Sequence, residues 1–302
     1  MLRAEPGAAT RGEAVSLARD AGLIGWGLVA PFASWEGGAM SDLKSLASDL
    51  LRLHHTDETL VLPTVWDVWS ARAVVDAGFP AVTIGSHPLA DSRGQQDGEG
   101  MTLDDALDGI RRICSAVRVP VSADVESGYD TPAAQLVERV LDAGAVGINV
   151  EDTVHSQGRV REVAEHADYI GALRQAADDA GVELVINART DALLHGTDRF
   201  PDPVAEAITR IRACEEAGAR CVYPVKIPDA ATLATLMEAT SLPLNVTAHP
   251  VDGAPSGSLQ ELRDAGVRRV TFGPLLQQAL TQSVAELTGP WLGRAGLAGQ
   301  SD

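Results

Sequence analysis

The chain has 302 residues, 45% of them hydrophobic, and a formal net charge of −18 with a sequence pI near 4.7. This is enough chain for one large domain with a sizeable core, and an acidic balance without any basic stripe argues against a nucleic-acid partner. Only two lysines occur, Lys44 and Lys226, and the three cysteines, Cys114, Cys214 and Cys221, form no CxxC pair, so they suit buried thiols in a reducing compartment.

Residues 1–39 read as a tail, disordered or not native to the protein, because Met40 opens Met-Ser-Asp-Leu-Lys, a natural start. The apolar run 21–33 mimics the h-region of a signal peptide, but Glu5, Glu13 and Asp20 precede it where basic residues are required. No run is long enough to span a bilayer. The expected location is the cytoplasm, and residues 40–302 are expected to form a single domain.

Ser41 to Leu53 reads as an amphipathic helix with Ser41 as a candidate N-cap. A regular alternation follows. Strands are expected at 60–63, 81–84, 119–125, 147–150, 184–188, 221–225, 244–247 and 269–272. Helices are expected between them at 68–77, 103–117, 132–143, 163–180, 203–217, 230–239 and 258–265, and a last one at 274–287. An Ala-Gly step recurs ahead of the next strand at 77–78, 143–144, 180–181, 217–218 and 265–266. Short apolar strands in serial strand-helix units predict buried parallel strands and a (β/α)8 TIM-type barrel, with an N-terminal helix before it and a C-terminal helical extension after it. The rival is a doubly wound open sheet. That fold usually carries a glycine-rich phosphate turn after its first strand, and Thr64-Val-Trp-Asp67 is nothing like one.

In such a barrel the active site lies at the C-terminal ends of the strands. The third strand ends in Val121-Ser-Ala-Asp-Val-Glu-Ser-Gly-Tyr129, where alternation would aim Asp124 and Glu126 the same way. Two carboxylates so placed repel unless a cation lies between them. A second acidic pair, Glu151-Asp152, ends the next strand. Other strand ends carry Trp66-Asp67, Gly85-Ser-His87 with a following loop holding Asp97, then Asn187, Arg189 and Asp191, then Lys226, and then Asn245 and His249. Oxygen ligands of this kind favour Mg²⁺, with Mn²⁺ as a second choice, and Mg²⁺ tends to keep several waters. Arg189 supplies a bidentate anchor for an organic anion.

With these motifs in order, the chain resembles the isocitrate lyase/phosphoenolpyruvate mutase superfamily from about Leu60 to Leu287. The carrying words are Trp66-Asp67 with Ser70-Ala-Arg72, Asp97-Gly-Glu-Gly-Met-Thr102, Asp124-Val-Glu-Ser-Gly-Tyr129, Val150-Glu-Asp152, Asn187-Ala-Arg-Thr-Asp191 and Pro243-Leu-Asn-Val246. It is nearest to poorly characterised members with Asp-x-Glu on the third strand, where the best-known enzymes have Asp-x-Asp. The resemblance implies a magnesium-dependent lyase that cleaves a C–C bond of a small 2-oxo or 2-hydroxy carboxylate through an enolate. Oxaloacetate-like decarboxylation or retro-aldol cleavage are the forms expected. It implies Asp124, Glu126 and Glu151 as metal acids. Asp97 and Arg189 would be catalytic, and Trp66, Ser86, His87, Arg189 and Asn245 would touch substrate. It also implies a dimer or tetramer in which the last helix packs on a neighbour. The Lys-[Lys/Arg]-Cys-Gly-His loop of the isocitrate and methylisocitrate lyases is absent: Thr153-Val-His-Ser-Gln-Gly-Arg-Val-Arg161 stands there, with His155 and Arg159 as the candidate replacements. Three alternatives stay open: a phosphonopyruvate-type mutase, a Schiff-base aldolase using Lys226, and an inactive metabolite-binding member.

Overall fold

Eight parallel strands close on themselves. The computed structural model describes residues 40–292; the tail expected at 1–39 lies outside the described residues, as does the end of the chain after Leu292. The strands are β1 (Leu60–Leu62) continuing past Pro63 into β2 (Thr64–Val65), β3 (Val82–Ile84), β4 (Val121–Asp124), β5 (Gly147–Val150), β8 (Val185–Thr190), β9 (Cys221–Pro224), β10 (Asn245–Thr247) and β11 (Arg269–Thr271). One arc runs β2-β3-β4-β5-β8-β9 and the other β10-β11-β1. Pro63 joins the arcs at one end, since β1 and β2 are one strand with a proline that cannot donate to the ladder. A parallel bridge from Val222 to Leu244 joins them at the other. Strands of this length, buried on both faces, match the apolar runs read from the sequence.

Outside the strands lie α1 (Met40–His54), α2 (Val68–Asp76), α3 (Ser86–Ser92), α4 (Leu103–Cys114), α5 (Ala133–Asp142), α6 (Val163–Asp179), α7 (Ala192–His195), α8 (Pro203–Glu216), α9 (Ala230–Met237), α10 (Leu259–Asp264) and α11 (Leu275–Thr288). Their starts are chemically marked. Asp67 and Ser258 close capping boxes, while Thr102, Asp202 and Asp229 each accept the N3 amide. The Ala-Gly steps are helix ends: the alanine is the last right-handed residue and the glycine turns left-handed, with φ +100° at Gly78 and +94° at Gly144. Helix α1 is described from Met40, so Ser41 falls in its first turn. No side chain of α11 is buried, and Val284, Leu287, Trp291 and Leu292 stand exposed at the end of the described residues.

Three elements were not expected. Helix α3 follows its N-cap residue Gly85, a position that tolerates no side chain because a Cβ would lie 2.7 Å from Thr64 Cγ2 and 2.9 Å from Pro88 Cγ. Helix α7 is a single turn after β8. After β5 the chain forms a small antiparallel hairpin, β6 (Thr153–Val154) with β7 (Arg159–Val160), turned by a 3-10 segment at His155–Gln157 and by Gly158.

At the end of α1, His54 is tied to the barrel. Its Nε2 accepts from Arg269 Nη1 at 3.3 Å, which leaves Nδ1 to donate to the Leu50 carbonyl at 2.8 Å. Burial, and then the Arg269 charge, push His54 down from 6.5 to about 3. The unfolded chain therefore binds a proton that the folded chain refuses. Stability from this group is complete above about pH 6.5 and is lost as pH falls toward 3. In His54→Gln, which keeps an acceptor for Arg269, urea melts between pH 6 and 4 should show a pH slope shallower by up to about 1.4 kcal/mol per pH unit, the effect of one proton. An unchanged slope would mean that His54 is not the group being protonated.

Candidate active site

A cavity of about 580 Å³ opens at the C-terminal ends of the strands. Ser86 and His87 from α3, Asp97 from the loop that follows, Asp124 from β4, Arg189 from β8 and Lys226 after β9 all face it. Four of the expected catalytic and substrate residues, Asp97, Arg189, Ser86 and His87, thus meet around one space. Two do not. Trp66 is buried with its backbone N–H on Ser70 Oγ, and Asn245 lies deeper in the barrel with its amide on Thr271; neither lines the cavity.

The acids converge, but not by the route that strand alternation suggests. The ladder of β4 ends at Asp124, and Glu126 has left-handed backbone with φ +50°. Its amide turns back to donate to Asp124 Oδ1 at 3.0 Å. The turn, rather than the pleat, places Glu126 against the Asp124 carboxylate through its backbone. Glu126 is 2% exposed and takes hydrogen bonds from the Glu99 amide and from Tyr129 Oη at 3.0 Å. Neither Asp124 nor Glu126 forms an ion pair among the described residues. Burial, with repulsion from Asp124 and Asp97, pushes Glu126 up to about 8. Burial likewise raises Asp124, against the pull of Arg189.

Glu151, also 2% exposed, sits between two bases. Arg189 Nη1 is 2.5 Å from Oε2, and His155 Nε2 meets Oε1. Burial raises its pKa, opposed by Arg189. The hydrogen bond to Glu151 raises His155 in turn, to about 9. Arg189 also holds Asp191 through Nε at 2.7 Å; burial works against its charge, and Glu151, Asp191 and Asp124 more than offset it. Glu126, Glu151 and His155 each bring one ligand atom within 4.8 Å of the others. Sequence reasoning placed His155 as a candidate replacement for the missing loop residues and not beside the acids; the available signal for that place was its position four residues after Glu151. Arg159, its expected companion, is paired with Glu165 through two bonds of 2.7 and 2.6 Å and takes no part.

Neighbouring acids have separate tasks. Asp152 is fully buried, bonded to Arg210 Nη1 at 3.1 Å and to the Asp191 amide at 2.9 Å. His249 braces its own turn through Asp252. Above the acids, the Glu99 carboxylate accepts from Ser127 Oγ at 2.5 Å and from the Tyr129 amide at 3.0 Å, which pins the 97–100 loop down. Asp97 is tied to His87 Nδ1 at 3.2 Å.

A family profile described as phosphoenolpyruvate phosphomutase matches residues 50–289. The chain belongs to the isocitrate lyase/phosphoenolpyruvate mutase superfamily. It is 31% identical over 206 residues to 2-methylisocitrate lyase of Escherichia coli strain K12, covering 65% of this chain and 67% of that one. It is 28% identical over 242 residues to oxaloacetate decarboxylase of Rhodopseudomonas palustris strain CGA009, covering 78% and 81%. A structure of oxaloacetate acetylhydrolase in complex with the product oxalate superposes with a TM-score of 0.74 at 26% identity, over 85% of this chain and 90% of that one. The superfamily membership makes the closed ring a TIM-type barrel of known kind and the protein an enzyme of the lyase type. Among the described residues, no helix is long and apolar enough to cross a membrane.

Proposed function

We propose that this superfamily member is a Mg²⁺-dependent lyase, with Mn²⁺ as an alternative ion, that cleaves a C–C bond of a small 2-oxo or 2-hydroxy carboxylate through an enolate. The observation that carries the reading is the mouth lined by Arg189, Asp124 and Asp97, beside the Glu126–Glu151–His155 group, whose two carboxylates are buried and whose imidazole is exposed. The donor set fits a divalent cation. Two buried carboxylates carry raised pKa values, and Asp124 and Glu126 have no ion-pair partner among the described residues. Asp124, Glu126 and Glu151 would hold the ion, in part through waters. His155 offers an imidazole nitrogen beside Glu151, a ligand type better suited to Mn²⁺ than to Mg²⁺.

When bound, the ion supplies positive charge against the charge that develops on the substrate oxygen as the bond breaks. The protein does the rest. Arg189 receives the substrate carboxylate as a planar fork. Ser86 and His87 line the cavity at the start of α3, where the first N–H groups have no intrahelical partner and would be the donors for the enolate oxygen. Asp97, steadied by His87, is the carboxylate placed for proton handling at the mouth. Lys226 also lines the cavity, but it is exposed on the rim, which disfavours an imine mechanism. The unburied face of α11 fits a homo-oligomer contact, and the absence of any membrane-crossing helix among the described residues is in keeping with a cytoplasmic enzyme.

Calorimetry with oxalate, an enolate mimic, tests the reading. Oxalate should give a binding heat in the presence of Mg²⁺ and none in its absence. Oxalate that binds equally with EDTA present, or not at all, would remove both the metal and the enolate from the account.

A further inference from the structure

Beneath the mouth lies a second, smaller cavity of about 40 Å³ inside the barrel. Arg269, Asn187 and Asn245 line it, each 1% exposed. Each carries one polar atom with no hydrogen-bond partner among the described residues: Arg269 Nε, Asn187 Oδ1 and Asn245 Oδ1. The remaining Arg269 nitrogens reach only neutral groups, His54 Nε2 and Ser122 Oγ, both at 3.3 Å. Arg269 forms no ion pair among the described residues. A buried guanidinium without a carboxylate and two orphaned amide oxygens would each cost about 1–3 kcal/mol if left bare. Native interiors rarely leave such groups bare.

The unpaired set identifies what fills the space. The set is one donor and two acceptors on side chains that line one cavity. An anion such as chloride could satisfy Arg269, but it would leave both amide oxygens unpaired. A metal cation could satisfy the oxygens, but Arg269 would repel it. Water donates twice and accepts twice, so it answers all three. The volume admits about three waters, since roughly 10–15 Å³ suffices for each. Asp124, Gly85, Tyr223 and Gly273 border this cavity and the larger mouth alike, so the space lies directly under Asp124. Burial lowers the pKa of Arg269; Cys221, Tyr223 and Asp124 pull it back, and Asp124 is the carboxylate among them.

We propose that the barrel floor is a built water site, in which ordered water bridges Arg269 to Asn187 and Asn245, and that Arg269 acts through this water as a positioning residue for Asp124. The positioning role rests on the metal reading given above; the water site does not.

Two measurements test the two halves. A crystal structure of the full chain at high resolution, with a bromide-soaked companion, should show fully ordered water within hydrogen-bond distance of Arg269 Nε and of at least one of the two amide oxygens. An empty floor, or an anomalous bromide peak in it, overturns the water site. Mn²⁺ binding, read from the free-ion EPR signal, tests the positioning. Removing a positive charge near a cation site would by itself tighten binding. Arg269→Met should instead weaken Mn²⁺ binding, by about tenfold as for other residues that orient metal ligands, and Arg269→Lys, which can still donate to the water, should recover part of the loss. Unchanged or tighter binding in Arg269→Met overturns the positioning role. Should Arg269→Met fail to fold, Asn245→Leu removes a water partner without touching the charge and carries the same expectation. Wild-type protein that binds no Mn²⁺ would defeat the metal reading and the positioning role together, while the density on the barrel floor would still decide the water site.

Discussion

Asp124→Ala should lower turnover by about a thousandfold while moving the melting temperature by only a few degrees. The size of the first effect follows from position. Asp124 is the one carboxylate of the β4 turn that lines the mouth shared with Arg189, so its loss removes both a candidate ion ligand and the charge opposite the anion anchor. The smallness of the second follows from two opposed terms. The Glu126 amide loses its acceptor at 3.0 Å, which costs about 1–3 kcal/mol. Glu126 is at the same time freed from the like charge that raises its pKa. Pyruvate release from a panel of 2-oxo and 2-hydroxy acids with Mg²⁺, run beside thermal melts, separates the outcomes. Normal turnover in the variant would dismiss Asp124 from the chemistry, and a large thermal loss would make it a structural residue.

Arg210→Met is expected to do the reverse and strike stability first. Arg210 Nη1 reaches Asp152 Oδ2 and the Arg161 carbonyl, at 3.1 and 2.8 Å, from a site where both charged side chains are almost wholly buried. Removing one partner strands the other charge away from water, at about 3–5 kcal/mol. For a domain of this size that is a fall in melting temperature on the order of 10 °C. The damage should also reach the mouth. Asp152 accepts the Asp191 amide, and Asp191 holds Arg189 and Thr153. The affinity for a carboxylate substrate should therefore weaken in the folded fraction, seen as a rise in KM. A melting temperature unchanged in Arg210→Met would show that Asp152 is not left as a stranded charge.

The contrast between Glu151 and Asp152 shows where sequence reasoning reached its limit. Both were legible as acids at a strand end. Nothing local tells that Glu151 faces Arg189 and His155 while Asp152 faces Arg210, because that partner comes from a helix 58 positions away. The eight strands and most helices were legible within about two residues, since apolar runs and capping side chains are local signals. Helix α3 was not, because Gly85 and Pro88 within Gly-Ser-His-Pro look like loop residues. Nor was the hairpin at Thr153–Val160, whose two-residue strands are too short to show alternation. The grouping of Asp124 with Glu126 was expected for a reason that does not hold in the structure. The left-handed residue at 126 turns its amide back onto Asp124 instead, and a carboxylate at φ +50° has no sequence signature.

The bridge that completes the ring has a mechanical consequence. Between β9 and β10 the two arcs are stitched by the single Val222–Leu244 step, with Val222 donating to the Pro243 carbonyl at 3.0 Å, whereas β8 and β9 share four registered residues. Pro243 has no amide hydrogen to return, so this seam is the slackest joint of the barrel wall. It runs beside the mouth, with Tyr223 to Val225 on one bank and Val246 and Thr247 on the other, fastened across the gap by the Tyr223–Thr247 hydroxyl contact. Breathing of the wall would therefore widen the chamber while the six-strand arc carrying Asp124, Glu151 and Arg189 stays intact. The acids and the guanidinium ride on the stiff side, and the entrance is left to flex.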